Sequence, residues 1–215
     1  MKNLLIKELK LAAHPLTFVF IAFSLMTFLP GYPILMGTFF ICLGLFQTFK
    51  NGREANDTLY TVLLPIKKRD AVKARFVLVC TVQIAAMILM AVFTVIRMTA
   101  LKNAPIYVEN VMMDANLVFL GWALLVFSAF NVFFAGPFFK TAVKLGGPFI
   151  AFCVAAFVLI AAGEVLHHVP SLDFLNGQES IGIQAVILVV CIVVYIVATL
   201  LSMKAAQNNF EKVDL

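Results

Sequence analysis

Long apolar runs separated by short polar stretches make up most of this chain. A membrane-spanning α-helix needs about 20 mainly apolar residues, within a range of about 17–25, and the runs approach or reach that length. The pattern predicts six membrane spans, at about residues 11–29, 34–49, 76–98, 117–134, 148–163 and 181–203. The predicted fold is therefore all-α and integral to the membrane, with a single domain over residues 1–215.

The first ten residues, MKNLLIKELK, mix leucines with lysines. This mixture predicts a short amphipathic helix that lies in the membrane interface ahead of the first span. Ile6 and Glu8 blur the separation of its two faces, so a cytoplasmic extension of the first span is the alternative interpretation.

Composition and charge support a membrane protein and give it an orientation. Hydrophobic residues make up 63% of the chain and charged residues 13%, against about 45–50% and about 25% in soluble domains. With both termini in the cytoplasm, 14 of the 16 Lys and Arg residues fall on the cytoplasmic side. Only Arg97 and Lys102 remain outside, as the positive-inside rule requires. The net charge of +5 thus reflects orientation rather than binding of nucleic acid.

The basic segment over residues 50–75, between the second and third spans, predicts a short cytoplasmic helix. Asn51 and Glu54 have the spacing of a helix-capping pair, and Pro65 ends the helix. One face is apolar and consists of Ala55, Leu59, Val62 and Leu63. Such a face either offers a surface to a soluble partner or only anchors the loop at the membrane.

Two loops carry a family resemblance. Arg53-Glu54, Asp57-Thr58-Leu59 and Leu63-Leu64-Pro65-Ile66 resemble the coupling-helix segment of type 2 ABC exporter permeases. The segment Gly136-Pro137-Phe138-Phe139-Lys140, with Lys144, is similar to the second cytoplasmic loop of the small bacterial branch of that family. This branch includes bacitracin-type peptide exporters and the membrane subunits of the phenol-soluble-modulin exporter.

The resemblance implies a permease subunit in a bacterial plasma membrane that works as a homodimer or heterodimer with a separate cytosolic ABC ATPase. ATP is expected in that partner, and this chain, which lacks the G-x-x-x-x-G-K-[ST] motif, needs no cofactor and is not itself an enzyme. Amphipathic or antimicrobial peptides, or other hydrophobic compounds, are the expected substrates. The residues that the resemblance assigns to ATPase coupling are Arg53, Glu54, Asp57, Leu59, Tyr60, Val62, Leu63 and Pro65, with Pro137, Lys140 and Lys144 in the second cytoplasmic loop.

Other functions have some support in the sequence. Glu164, His167 and His168 share one face of a helix, and Glu and His bind zinc, so an intramembrane metal-dependent enzyme is one alternative. A simple helix end at the outer surface is the plainer interpretation of these three residues. A stand-alone channel or scaffold is a further alternative. Arg97, near the outer end of the third span, either extends to the lipid headgroups, which is the favoured interpretation, or is a functional charge within the membrane.

Overall fold

The structure is a computed structural model that describes residues 2–176 and 180–213. The described residues form helices and no strands. The helical segments of the N-terminal half are α1 (Lys2–Lys7) with a π-helical turn (Glu8–Ala12), α2 (Pro15–Val19) with a 3-10 helix (Phe20–Phe28), α3 (Met36–Glu54), α4 (Asp57–Leu63) and α5 (Lys68–Thr99). Those of the C-terminal half are α6 (Pro105–Val108), α7 (Leu117–Ala129) with a π-helical segment (Phe130–Ala135), α8 (Gly136–Phe138), α9 (Gly146–His167), a 3-10 helix (Pro170–Leu175) and α10 (Ile181–Glu211).

Four helices are long and apolar enough to cross a membrane. They are α5, α7 continued to Phe138, α9 and α10, and they contain the third to sixth predicted spans. A fifth candidate is the bent pair Leu4–Lys10 and Pro15–Phe28, whose two parts meet at 80°. The prediction of an all-α membrane protein is thus confirmed, with four or five candidate spans among the described residues.

The first two predicted spans differ from regular transmembrane helices for physical reasons. After Pro15 the chain forms five α-helical residues and then nine 3-10 residues. Because a 3-10 helix rises about 2.0 Å per residue and an α-helix about 1.5 Å, this short segment extends about 25 Å. Helix α3 is apolar only up to Phe49, and its last turn carries Arg53, so its mean hydropathy is low for its length.

These two segments pack as a close hairpin because α3 presents glycines to its partner. A Cβ atom added at Gly44 would lie 2.6 Å from Cβ of Phe20, and one added at Gly37 would lie 2.7 Å from the carbonyl oxygen of Phe23. The hydroxyl of Thr17 donates to the carbonyl oxygen of Gly44 at 2.6 Å. Small residues and interhelical hydrogen bonds are the usual means of joining helices inside a bilayer.

Helix α7 forms the centre of the bundle. In its most apolar stretch 72% of residues are buried, against 22% in α9 and 17% in α10. Phenylalanine rings fill the space around it: Phe49 meets Phe134 edge to face with centroids 5.1 Å apart, and Phe130 meets Phe152 in the same way at 5.2 Å. The outward faces of α9 and α10 remain apolar, as a lipid-facing surface requires.

A buried hydrogen-bond network joins α5, α7 and α10 at the π-helical segment. The side-chain amide of Asn131 donates to Oε1 of Gln83 at 3.1 Å and to Oγ1 of Thr199 at 2.9 Å. Gln83 donates back to Asn131 Oδ1 at 3.0 Å, and the hydroxyl of Tyr195 donates to Gln83 Oε1 at 2.7 Å. These polar residues therefore satisfy one another between helices in the described structure.

Candidate coupling surface

Four charged side chains form a cluster at one end of the bundle, and we call it the charge network. Arg75 binds two carboxylates, with Nε 2.6 Å from Oε2 of Glu8 and a terminal nitrogen 2.6 Å from Oδ2 of Asp57. Lys7 Nζ lies 2.5 Å from Oδ1 of Asp57 and 3.2 Å from Oε1 of Glu8. Two positive and two negative charges thus balance in a largely buried place. Removing one member would leave an uncompensated charge, which costs about 3–5 kcal/mol in buried pairs.

Three helical segments and a tight corner bring these charges together. Glu8 comes from the π-helical turn after α1, Asp57 from the first turn of α4, and Arg75 from the cytoplasm-proximal part of α5 as the topology is predicted. The chain turns sharply between α3 and α4 at Asn56, which has a left-handed conformation with φ of 52°. Asparagine tolerates this conformation better than most residues.

Helix α4 and the residue that follows it present three large apolar side chains outward. Tyr60 is 65% exposed, Leu63 73% and Leu64 49%, and we call these residues the apolar patch. Thr61 points the opposite way and is 5% exposed. Of the other residues of the predicted apolar face, Ala55 follows the end of α3 and does not belong to α4. The side chains of Leu59 and Val62 lie outside the described part of the structure.

The predicted start of this helix was wrong. Asn51 lies inside α3, which continues to Glu54, so these residues do not cap the coupling helix. Glu54 instead lies 3.9 Å from Lys50 in an exposed ion pair at the end of α3. The left-handed corner at Asn56 is the reason, because it ends one helix and starts the next at Asp57.

Asp57 lies in the first turn of α4, and its carboxylate points inward to Lys7 and Arg75 with 15% of its side chain exposed. Arg53 and Pro65 do lie on the surface, one before and one after α4.

The second predicted cytoplasmic loop has a buried and an exposed part. Pro137 lies in α8, Phe138 and Phe139 are 3% and 4% exposed, and Lys140 and Lys144 point outward. The two aromatic residues anchor the loop, and the two lysines lie at the surface.

The two loops and both chain ends meet on the same face of the molecule. Phe138 and Phe139 line one small cavity together with Asp57, Arg75 and Phe210, the last from the end of α10. On α10, Glu211 also forms an ion pair with Arg69 of α5, with Oε1 of Glu211 2.7 Å from Nε of Arg69. A partner that binds α4 would therefore contact a surface assembled from distant parts of the chain.

At the opposite end, the Glu164 and His167 side chains form hydrogen bonds within the protein, and the His168 ring lies beside that of His167. Glu164 accepts a hydrogen bond from the backbone N–H of Met113 at 3.1 Å, and Nδ1 of His167 lies 2.6 Å from Oδ1 of Asn176. Within residues 2–176 and 180–213, no three His, Cys, Asp or Glu side chains are placed to hold a metal ion.

Arg97 is buried rather than extended to the surface, so the expectation that it reaches the lipid headgroups was wrong. It is 5% exposed and donates to the carbonyl oxygen of Thr27 at 2.8 Å. It also lies 3.2 Å from Oδ1 of Asp114 and 4.3 Å from the ring centroid of Tyr107. Arg97 thus holds the outer loop against the first hairpin.

Apolar helices around a central buried helix, with a short surface helix fixed by charges at one end, define a multi-pass membrane protein. The family model described as ABC-2 family transporter protein matches residues 3–207. The chain belongs to this family, whose members are the membrane components of transporters and not enzymes. No curated protein and no solved structure matches the chain.

Proposed function

We propose that this chain is the permease subunit of an ABC exporter, and that a separate cytosolic ATPase docks on α4. The single observation that carries the proposal is the apolar patch. Tyr60 is 65% exposed and Leu63 73% exposed on a short helix that is not among the candidate membrane spans. Contiguous exposed apolar groups of this kind mark interaction sites. The family assignment supplies the class of partner.

The proposed topology has six spans, with both termini, α4 and the second loop in the cytoplasm. The convergence of these segments on one face supports this arrangement. The charge distribution also supports it, because 14 of the 16 Lys and Arg residues then lie on the cytoplasmic side. In this topology the 3-10 segment and α3 form the first two spans as a hairpin. The whole chain forms one permease domain in a bacterial plasma membrane.

Two permease subunits, identical or different, would form the translocation path between them. The weakly buried apolar faces of α9 and α10 support this proposal, because the exposed apolar area of each helix can contact a second subunit as well as lipid. Binding of ATP would draw the two ATPases together, and α4 would transmit that movement to the membrane helices. The movement of these helices would expose the translocation path to the two sides of the membrane in turn. Amphipathic or antimicrobial peptides and other hydrophobic compounds are the proposed substrates.

The test is co-expression with a candidate ABC ATPase from the same organism, followed by purification through a tag on the permease. We expect the ATPase to co-purify, and ATP hydrolysis in proteoliposomes to rise when a dye-labelled amphipathic cationic peptide is added. The labelled peptide should move across the bilayer only when ATP is present on the side of the ATPase. A chain that purifies without an ATPase and conducts ions by itself would instead be a channel.

A further inference from the structure

Helix α4 is joined to its neighbours by non-helical residues at both ends. Before it stands the left-handed corner at Asn56, with φ of 52°. After it the backbone is extended at Leu64 and again at Lys67, with ψ of 152° and 136°, and Pro65 lies between them. Since no continuous helix leads out of α4, its backbone is a poor route for passing a displacement to α5.

The side chains on the inner face of α4 provide a better route. Asp57 binds Arg75 at 2.6 Å and Lys7 at 2.5 Å, and Thr61 accepts a hydrogen bond from the same lysine at 2.7 Å. These contacts lie on the face opposite the exposed residue Leu63. A displacement of α4 by a partner bound at the apolar patch is therefore transmitted through the side chains of the charge network.

Arg75 is the residue at which several elements meet. It belongs to α5, and its guanidinium binds Glu8 of the N-terminal segment at 2.6 Å as well as Asp57 of α4. It also lies 5.4 Å from the ring centroid of Phe49 in α3, beside Gly52, where an added Cβ would be only 3.3 Å from its NH1. A planar guanidinium can bind two carboxylates at once, whereas a lysine ammonium is a point charge on a flexible stem.

We infer that Arg75 is a positioning residue for energy coupling, which binds the N-terminal segment, α4 and α5 into one body through Glu8 and Asp57. This inference rests on the proposed function. The N-terminal helix is then part of the coupling unit and not only a membrane anchor, because Glu8 ties it to the same guanidinium that receives α4.

Arg75→Lys tests the inference, and Arg69→Lys is the matched control. Both residues lie on α5 near the same end, but Arg69 forms an exposed pair with Glu211. A single cysteine replaces Glu109 on the opposite end of the bundle in a cysteine-free background. In proteoliposomes of the complex, the rate of labelling by an impermeant maleimide is measured with and without ATP plus vanadate.

We expect ATP plus vanadate to change the labelling rate in the parent protein and in Arg69→Lys, and the change to fall about tenfold in Arg75→Lys. ATPase co-purification should persist, because the apolar patch is unaltered. If Arg75→Lys is made normally and responds like the parent, the inference is overturned. If Arg75→Lys is poorly made, Glu8→Gln decides, because it removes the ion pair between Arg75 and the N-terminal segment while the Arg75–Asp57 pair remains. A parental response in that variant also overturns the inference. Failure of the parent protein to bind the ATPase at all would instead refute the proposed function.

Discussion

Replacing Leu63 by aspartate should sever the proposed contact with the ATPase. In the isolated subunit 73% of this residue is exposed, so docking would remove most of its side chain from water. Full burial of a leucine contributes about 1.5–3 kcal/mol, and the newly buried fraction therefore about 1–2 kcal/mol. An aspartate buried without a partner adds a further cost of about 1–3 kcal/mol.

The summed effect of about 2–5 kcal/mol corresponds to a loss of affinity of roughly 30-fold to 4,000-fold, because each 1.4 kcal/mol is a factor of ten. The assay is a titration of the purified ATPase onto detergent-solubilised permease held on a resin. Membrane yield should stay at the level of the parent protein, since α4 is not among the candidate spans.

Val111→Asp is the matched control for this substitution. Val111 is 71% exposed, nearly as much as Leu63, but it follows α6 at the opposite end of the bundle. If Leu63→Asp inserts normally and binds the ATPase with the affinity of the parent protein, the reasoning is refuted, because α4 would then be only a membrane anchor.

Three further outcomes are expected. A cysteine at Glu109 should react with an impermeant thiol reagent in intact cells and one at Lys140 should not, while the reverse pattern would overturn the proposed orientation. Arg97→Met should lower the melting temperature of the purified protein, because it removes a charged hydrogen bond worth about 1.5–3 kcal/mol, and an unchanged melting temperature would contradict the role of this residue in holding the outer loop. Replacing both His167 and His168 by Gln should leave folding and ATPase-dependent activity intact, whereas stoichiometric zinc lost on that replacement would revive the metal-enzyme alternative.

Hydropathy predicted the four long helices because the tendency to enter lipid depends on local composition. The segments at 76–98, 117–134, 148–163 and 181–203 all lie within helices that can span a membrane. The same reasoning missed the 3-10 geometry after Pro15, since the choice between α and 3-10 hydrogen bonding there depends on packing against the glycines of α3.

The charge network could not be predicted from sequence spacing. Its members come from three separate parts of the chain: Arg75 follows its partner Asp57 by 18 residues, and Lys7 and Glu8 belong to the N-terminal segment. The one available signal was Glu8 itself, a charge that disturbs the apolar face of the N-terminal segment. Likewise, the burial of Arg97 depends on the carbonyl oxygen of Thr27, which lies 70 residues away.

The hydrogen bonds of the Asn131 side chain can be completed only late in the synthesis of this protein. Its partner Gln83 is synthesised earlier, but Thr199 follows it by 68 residues and belongs to the last helix. Until α10 is inserted, part of the hydrogen bonding of Asn131 is incomplete. An unsatisfied polar group in hydrocarbon costs several kcal/mol. The arrival of α10 completes this hydrogen bonding, and a chain truncated before that helix lacks the Thr199 acceptor for Asn131.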